Sequence, residues 1–341
     1  MAKTESLFPI LETKSISSLA RRAKEAPLAS AGCLTEYRPL AVNSILSKVT
    51  SRRSLPFTLA INPYRGCEFA CRYCYARYTH EFLERTPDDF EHNIFFKQDA
   101  AWLLRQELKK VKQGTEIALG TATDPYQPLE RKQRITRSLL QVFAETSGLR
   151  LGIVTKSTMI LRDIELLKEI AQRHELTVHL TVTTMDQKLA RILEPRAPRP
   201  DLRIAALSRL RAAGLRCGVM CSPLMPGITD SRRSIGSVGK AASAANANFL
   251  AAGALFLKPC SLPTFLEFVR KHFPDQLEDY QRRYSTSAFV DIAYKRRVDE
   301  IVESVRREYK LGRRYSNVNE DSQGSPIVQL QPWLPFSGLN G

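Results

Sequence analysis

The chain has 341 residues, 43% of them hydrophobic, and a formal net charge of +16 at neutral pH. That is apolar material for one large α/β domain or two smaller ones; no apolar run is long enough to cross a bilayer, and residues 1–20 hold no continuous block of the signal-peptide kind, so a cytoplasmic protein is expected. The positive charge favours an anionic partner, nucleic acid first, although solvated helix faces give many basic proteins the same excess.

Residues 1–54 are polar and basic, with Arg21-Arg22, Lys24 and Arg52-Arg53. They read as a poorly ordered leader followed by a segment that packs against the core. Cys33 stands alone and reads as a small buried hydrophobe. From residue 55 to 260, strand-like runs (57–61, 116–119, 151–155, 176–183, 217–221 and 248–257) alternate with amphipathic helical stretches (100–111, 135–144, 160–171, 202–212 and 235–245). Such alternation implies βαβ units, a parallel sheet and right-handed crossovers. Six units are too few to close an eight-unit barrel. Residues 261–315 form a helical extension, with helices over 262–273, 276–284 and 288–311 that cover the side or mouth of the core. Residues 316–341, rich in Asn, Ser, Gly, Gln and Pro, read as a disordered tail in which Trp333, Leu334 and Phe336 can dock locally.

The chemistry is concentrated in Asn62-Pro-Tyr-Arg-Gly-Cys67-Glu-Phe-Ala-Cys71-Arg-Tyr-Cys74-Tyr75-Ala-Arg-Tyr-Thr-His80, which puts three cysteines into eight residues directly after the first strand. Seven cysteines, three of them crowded here, do not suggest a paired disulfide framework. Three thiolates can hold a cubane cluster with one iron left open; a structural zinc site wants a fourth ligand, for which His80 is the local candidate.

This stretch resembles the radical S-adenosylmethionine (radical SAM) superfamily, and its wording, with Cys-Tyr-Ala-Arg after Asn-Pro-Tyr-Arg-Gly, resembles the spore-photoproduct-lyase-like branch. The likeness covers roughly residues 55–230, and more weakly to 311. It implies a partial (βα)6 TIM-like barrel with its chemistry at the carboxyl ends of the strands. It also implies a [4Fe-4S] cluster on Cys67, Cys71 and Cys74, S-adenosyl-L-methionine on the open iron, and an electron donor such as flavodoxin or ferredoxin.

The remaining site residues follow from the same resemblance, each beside a plainer alternative. Tyr75 is expected to contribute backbone contacts near the adenine. Gly120-Thr121-Ala-Thr123-Asp124-Pro-Tyr-Gln-Pro matches the family segment that holds the methionine amino group, so Thr121, Thr123 and Asp124 are carried over; locally it is also simply a rigid polar turn. Lys156, in Val-Thr-Lys-Ser, is expected near the methionine carboxylate, or else is a solvated loop lysine. Thr183 is expected on the ribose, with Thr181 in reserve, while both are also good strand formers. His179 is expected on the opposite face, packed against a helix. Arg196, in Leu-Glu194-Pro-Arg, is expected on the methionine carboxylate or a substrate phosphate, or as a structural partner of Glu194. The Pro-Gly turn at Pro226-Gly227 is expected to help seat adenine.

Cys217 and Cys221, four apart on one strand, read as core residues before they read as hydrogen-atom donors. The lyases carry a cysteine just before the Thr-Asp pair; this chain has Ala122 there. Photoproduct repair is therefore not assigned, and no residue is assigned as catalytic. The expected function is reductive cleavage of S-adenosylmethionine and hydrogen abstraction from a substrate not yet identified, with nucleic acid the leading candidate. The reading from a different class is a non-catalytic zinc protein whose basic helices bind nucleic acid.

Overall fold

A computed structural model describes residues 17–32, 34–49 and 57–314. Its larger sheet is built on six parallel strands: β4 (Leu59–Ile61), β7 (Glu116–Leu119), β8 (Arg150–Thr155), β9 (Glu175–Thr181), β10 (Cys217–Leu224) and β11 (Leu250–Ala254). They run in the order β11-β10-β9-β8-β7-β4, and β3 (Leu46–Lys48) adds an antiparallel edge beside β4. This is the expected open six-unit barrel with one extra strand. Parallel neighbours need a crossover, and the helices Ala100–Leu108, Ile135–Ala144, Ile164–Arg173, Pro200–Ala212 and Arg232–Ala244 supply it. Their apolar stripes meet Ile117, Val178, Leu180 and Val219 in one continuous core.

A second, four-stranded sheet was not anticipated. It joins β1 (Ser30–Ala31), β2 (Glu36–Pro39), β6 (Asn93–Phe96) and β5 (Tyr64–Arg65) in that order. Each strand is only two to four residues long, too short for an alternating pattern to stand out in a sequence window. The expected packing segment of the N-terminal region includes Ser18–Glu25, a helix, capped by the Ser17 hydroxyl, that buries Ala20 and Ala23. Its buried face is made of alanines and packs on Leu40, Leu83 and Phe95, so a search for large apolar residues passes over it. Cys33 and residues 315–341, including Trp333, lie outside the described residues.

The helical extension falls where expected, at Leu262–His272, Leu277–Arg283 and Ile292–Glu308. Phe265, Phe268, Tyr280 and Tyr284 form a separate apolar cluster with Phe69, Leu193 and Met225, so the first two of these helices roof the mouth of the barrel. Among the described residues no helix is long and apolar enough to cross a membrane.

Candidate active site

The cysteine loop leaves β5 through Gly66, whose φ of +84° favours glycine; a Cβ there would stand 2.7 Å from the Phe90 carbonyl oxygen and 2.9 Å from that of Asn93. Cys67 then donates its backbone N–H to the Phe90 carbonyl at 3.0 Å, and Cys74 donates to Cys71 at 3.2 Å. The three thiols, with Cys67 and Cys71 each 8% exposed, line one cavity at the carboxyl ends of the strands.

Side chains from four directions clamp this loop. From β4, Asn62 accepts the Ala122 N–H at 2.7 Å and meets the Thr121 hydroxyl at 3.0 Å. From the turn after β7, Thr123 donates to the Gly66 carbonyl at 2.6 Å, while the Gln127 side chain accepts the Glu68 N–H at 3.1 Å. From below, the Tyr73 hydroxyl donates to Glu194, and from the roof Ser261 donates to the Cys74 carbonyl at 2.8 Å. Glu68 extends the clamp to the small sheet by accepting from the Tyr37 hydroxyl at 2.8 Å.

Thr121, Asp124, Lys156 and Tyr75 are brought together on the cavity wall, and Thr123 lies beside them. Asp124 is fully engaged by the protein: it accepts the Tyr126 N–H, the Thr155 hydroxyl and the Lys156 N–H at 2.7 to 2.9 Å, tying the end of β7 to the end of β8. Burial raises its carboxyl above the usual range, and those same hydrogen bonds oppose the rise. The Tyr75 hydroxyl donates to the Thr121 carbonyl at 2.5 Å, and its ring packs against Phe256.

Lys156 is the one cationic side chain on this wall among the described residues. Burial alone would lower its pKa, but the neighbouring Cys71 and Glu194 more than compensate, so it is held charged. Burial pushes the Cys71 thiol up to about 12, with Lys156 pulling the other way. Three thiols, two of them buried and Cys74 partly so, are costly as bare thiolates and need the positive charge of bound metal. Among the described residues no three His, Cys, Asp or Glu side chains converge tightly enough for a single metal ion. Three thiols from one loop on one wall match a cluster in which each thiolate meets a different iron and one iron is left open; a closed zinc site needs a fourth ligand. His80 is also placed elsewhere: it is fully buried, its Nε2 bonds the Asn93 carbonyl at 2.9 Å, and its ring rests on Phe90.

Two expected site residues lie away from the cavity wall. β9 ends at Thr181, which lines the cavity, whereas Thr183 lies past the strand and reaches Glu194 at 3.4 Å. Arg196 donates to the Glu91 carbonyl at 3.4 Å, and the structural partner of Glu194 is Arg203, at 2.5 Å. Both Glu194 and Arg203 are at most 1% exposed. Burial alone would raise the Glu194 carboxyl, but Arg203 and Lys156 hold it below its ordinary range.

The reading of His179 is corrected. Residues 179 and 181 differ by two and share a strand face, so His179 points to the barrel interior with Thr181, its ring 5.1 Å from Phe249. Cys217 and Cys221 are fully buried on the helix side of β10, while Met220 and Ser222 line the cavity. The core reading of the two cysteines therefore holds.

Sequence reading missed Asn62, Glu68, Gln127, Glu194 and Ser261 as supports. Asn62, Glu68 and Gln127 stood inside the quoted motifs, and Glu194 beside the favoured arginine; Ser261, 187 residues from Cys74, gave no local signal.

Residues 61–235 match the model of the radical SAM superfamily. An uncharacterized protein of Mycobacterium bovis is 34% identical over 81% of each chain, and one of Methanocaldococcus jannaschii is 27% identical over 73% of this chain and 86% of its own. Among solved structures, spore photoproduct lyase complexed with its dinucleoside photoproduct is similar in fold, with a TM-score of 0.56 at 13% identity, covering 80% of this chain and 79% of the other. The chain thus belongs to the radical SAM superfamily, whose [4Fe-4S] cluster and S-adenosylmethionine are its cofactors.

Proposed function

We propose that the protein is an enzyme that binds its cluster through Cys67, Cys71 and Cys74 and acts on a nucleic-acid substrate in the cytoplasm, fed by a flavodoxin or ferredoxin. When bound, the cofactors supply one-electron cleavage of the sulfonium and a 5'-deoxyadenosyl radical that takes a hydrogen atom from the substrate. The observation that carries this reading is the meeting of three loop thiols and Lys156 on one cavity wall. Lys156 offers a charged donor to an incoming carboxylate. Thr181 and Ser222 offer hydroxyls on the same wall, and Tyr75, Met220, Leu255 and Phe256 exclude water from it. Thr121 and Thr123 spend their side-chain hydrogen bonds on the cysteine stretch and Asp124 on tying the ends of β7 and β8, so their share in cofactor binding is one of positioning.

The substrate class rests on the charge of +16. Ala122 lines the cavity where the lyases carry a cysteine, and Cys217 and Cys221 face away, so this reading does not extend to photoproduct repair. Anaerobic reconstitution tests the enzyme: the wild type should be brown and form 5'-deoxyadenosine with reductant, Cys71→Ala should do neither, and Cys217→Ala should do both. A colourless protein holding one zinc per chain would sink the reading.

A further inference from the structure

The small sheet carries buried cations that its own acids do not balance. Arg65 pairs in register with Phe95 across β5 and β6, and the ladder continues as Lys97 donates its N–H to Pro63 at 3.2 Å. Arg65, Phe95 and Lys97 therefore point to the same face of the sheet. Lys97 is 6% exposed, and its ammonium makes no hydrogen bond or ion pair among the described residues. Arg65 gives one Nη1 to the Thr79 carbonyl at 3.3 Å, and its Nε is buried without a partner. A third cation, Arg85, lies with its guanidinium 5.4 Å from the centre of the Phe95 ring.

The nearby carboxylates are committed elsewhere. Glu107 accepts the backbone N–H groups of Ile45 and Leu46, Asp89 caps the turn at Thr86, and Glu91 is held by Arg77. Burial, with the Arg65 charge adding to it and Glu107 only partly offsetting it, draws the Lys97 ammonium down to about 7. Two neighbouring cations, Lys97 buried and Arg65 partly buried, opposed only by the otherwise engaged Glu107, are costly, and the cost falls when an anion enters between them. A guanidinium fork beside an ammonium matches an oxyanion with several acceptor atoms.

We propose that Arg65 and Lys97, with Arg85 at the rim, form a binding site for a phosphate group, either inorganic phosphate or a phosphodiester of a polynucleotide. The site lies two residues ahead of Cys67 and outside the cavity wall, and it stands independently of the radical chemistry. Its occupancy steadies the strand that delivers the cysteine loop.

The test is thermal melting of the reconstituted protein with inorganic phosphate, against chloride at matched ionic strength, for the wild type, Lys97→Met and Lys97→Arg. Phosphate at ten times its dissociation constant should raise the wild-type midpoint by about 2 °C, and chloride should not. Lys97→Met should melt at or above the wild type without phosphate and show no phosphate shift; Lys97→Arg should keep a shift. A short oligothymidylate supplies the second arm. A stabilisation by it that disappears in Lys97→Met assigns the site to a polynucleotide, and one that persists unchanged assigns it to free phosphate. No phosphate shift in the wild type, or an equal shift in Lys97→Met, overturns the proposal.

Discussion

At the scale of single residues, the site depends on a buried ion pair that touches no cofactor position. Glu194 holds the Tyr73 hydroxyl, and with it the middle of the cysteine loop, while Arg203 fixes Glu194 to the end of β9 through the Thr181 carbonyl. Glu194→Gln should cost about 3 kcal/mol in denaturant unfolding, because Arg203 is left buried and uncompensated, and should lower cluster absorbance per chain. Lys156 and Arg196 are distinguished by affinity: Lys156→Met should weaken S-adenosylmethionine binding about tenfold or more by calorimetry, and Arg196→Met should change it little. Equal losses would return the carboxylate to Arg196. Burial lowers His80 to about 4 from 6.5, so the unfolded chain takes up a proton that the native chain refuses. Its stabilising effect is complete above pH 6.5 and falls as pH drops towards 4. Between pH 7.5 and 5 the wild type should lose about 2 kcal/mol more than His80→Gln, read from urea midpoints.

At the scale of elements, the short β5 strand and the turn after it set where the sulfurs stand. Gly66→Ala combines a positive φ with a clash against two carbonyl oxygens, and should cost at least about 2 kcal/mol by urea unfolding, with the cluster content falling too. The longer strands and helices were legible in sequence because their periodicity lasts long enough to register: Glu116–Leu119 and Ile135–Ala144 fall on their expected bounds. The small sheet and the alanine-faced helix Ser18–Glu25 were not, since strands of two to four residues gain their stability from the neighbours they pair with and not from their own pattern. At the site, the cysteines and the strand-end motifs were readable from spacing and wording. The end of β9 was not: placing it two residues late moved the ribose expectation from Thr181 to Thr183. The Glu194–Arg203 pair also escaped, because its partners come from separate elements, the end of the helix Gln187–Leu193 and the helix Pro200–Ala212.

At the scale of the whole molecule, the N-terminal segment is part of the catalytic body and not an appendage. It supplies β3 to the barrel edge, β1 and β2 to the small sheet, and Tyr37 to Glu68. Deleting residues 1–49 would expose Phe95, Leu83 and the edge of β4, an open template for pairing with another chain. Size-exclusion chromatography should show aggregates for that deletion and a discrete species for the full chain. A discrete, cluster-bearing species from the deletion would show instead that the barrel stands alone.

The Ser261 hydroxyl on the Cys74 carbonyl also sets an order of events during synthesis. The ligand loop leaves the ribosome 187 residues ahead of the serine that closes over it, an interval of about 10 to 40 s at ordinary elongation rates. For that time the three thiols have their floor and walls in the making but no roof. Metal delivery has its widest access then, and the helices Leu262–His272 and Leu277–Arg283, made after the barrel, are the ones that shut the site against oxygen.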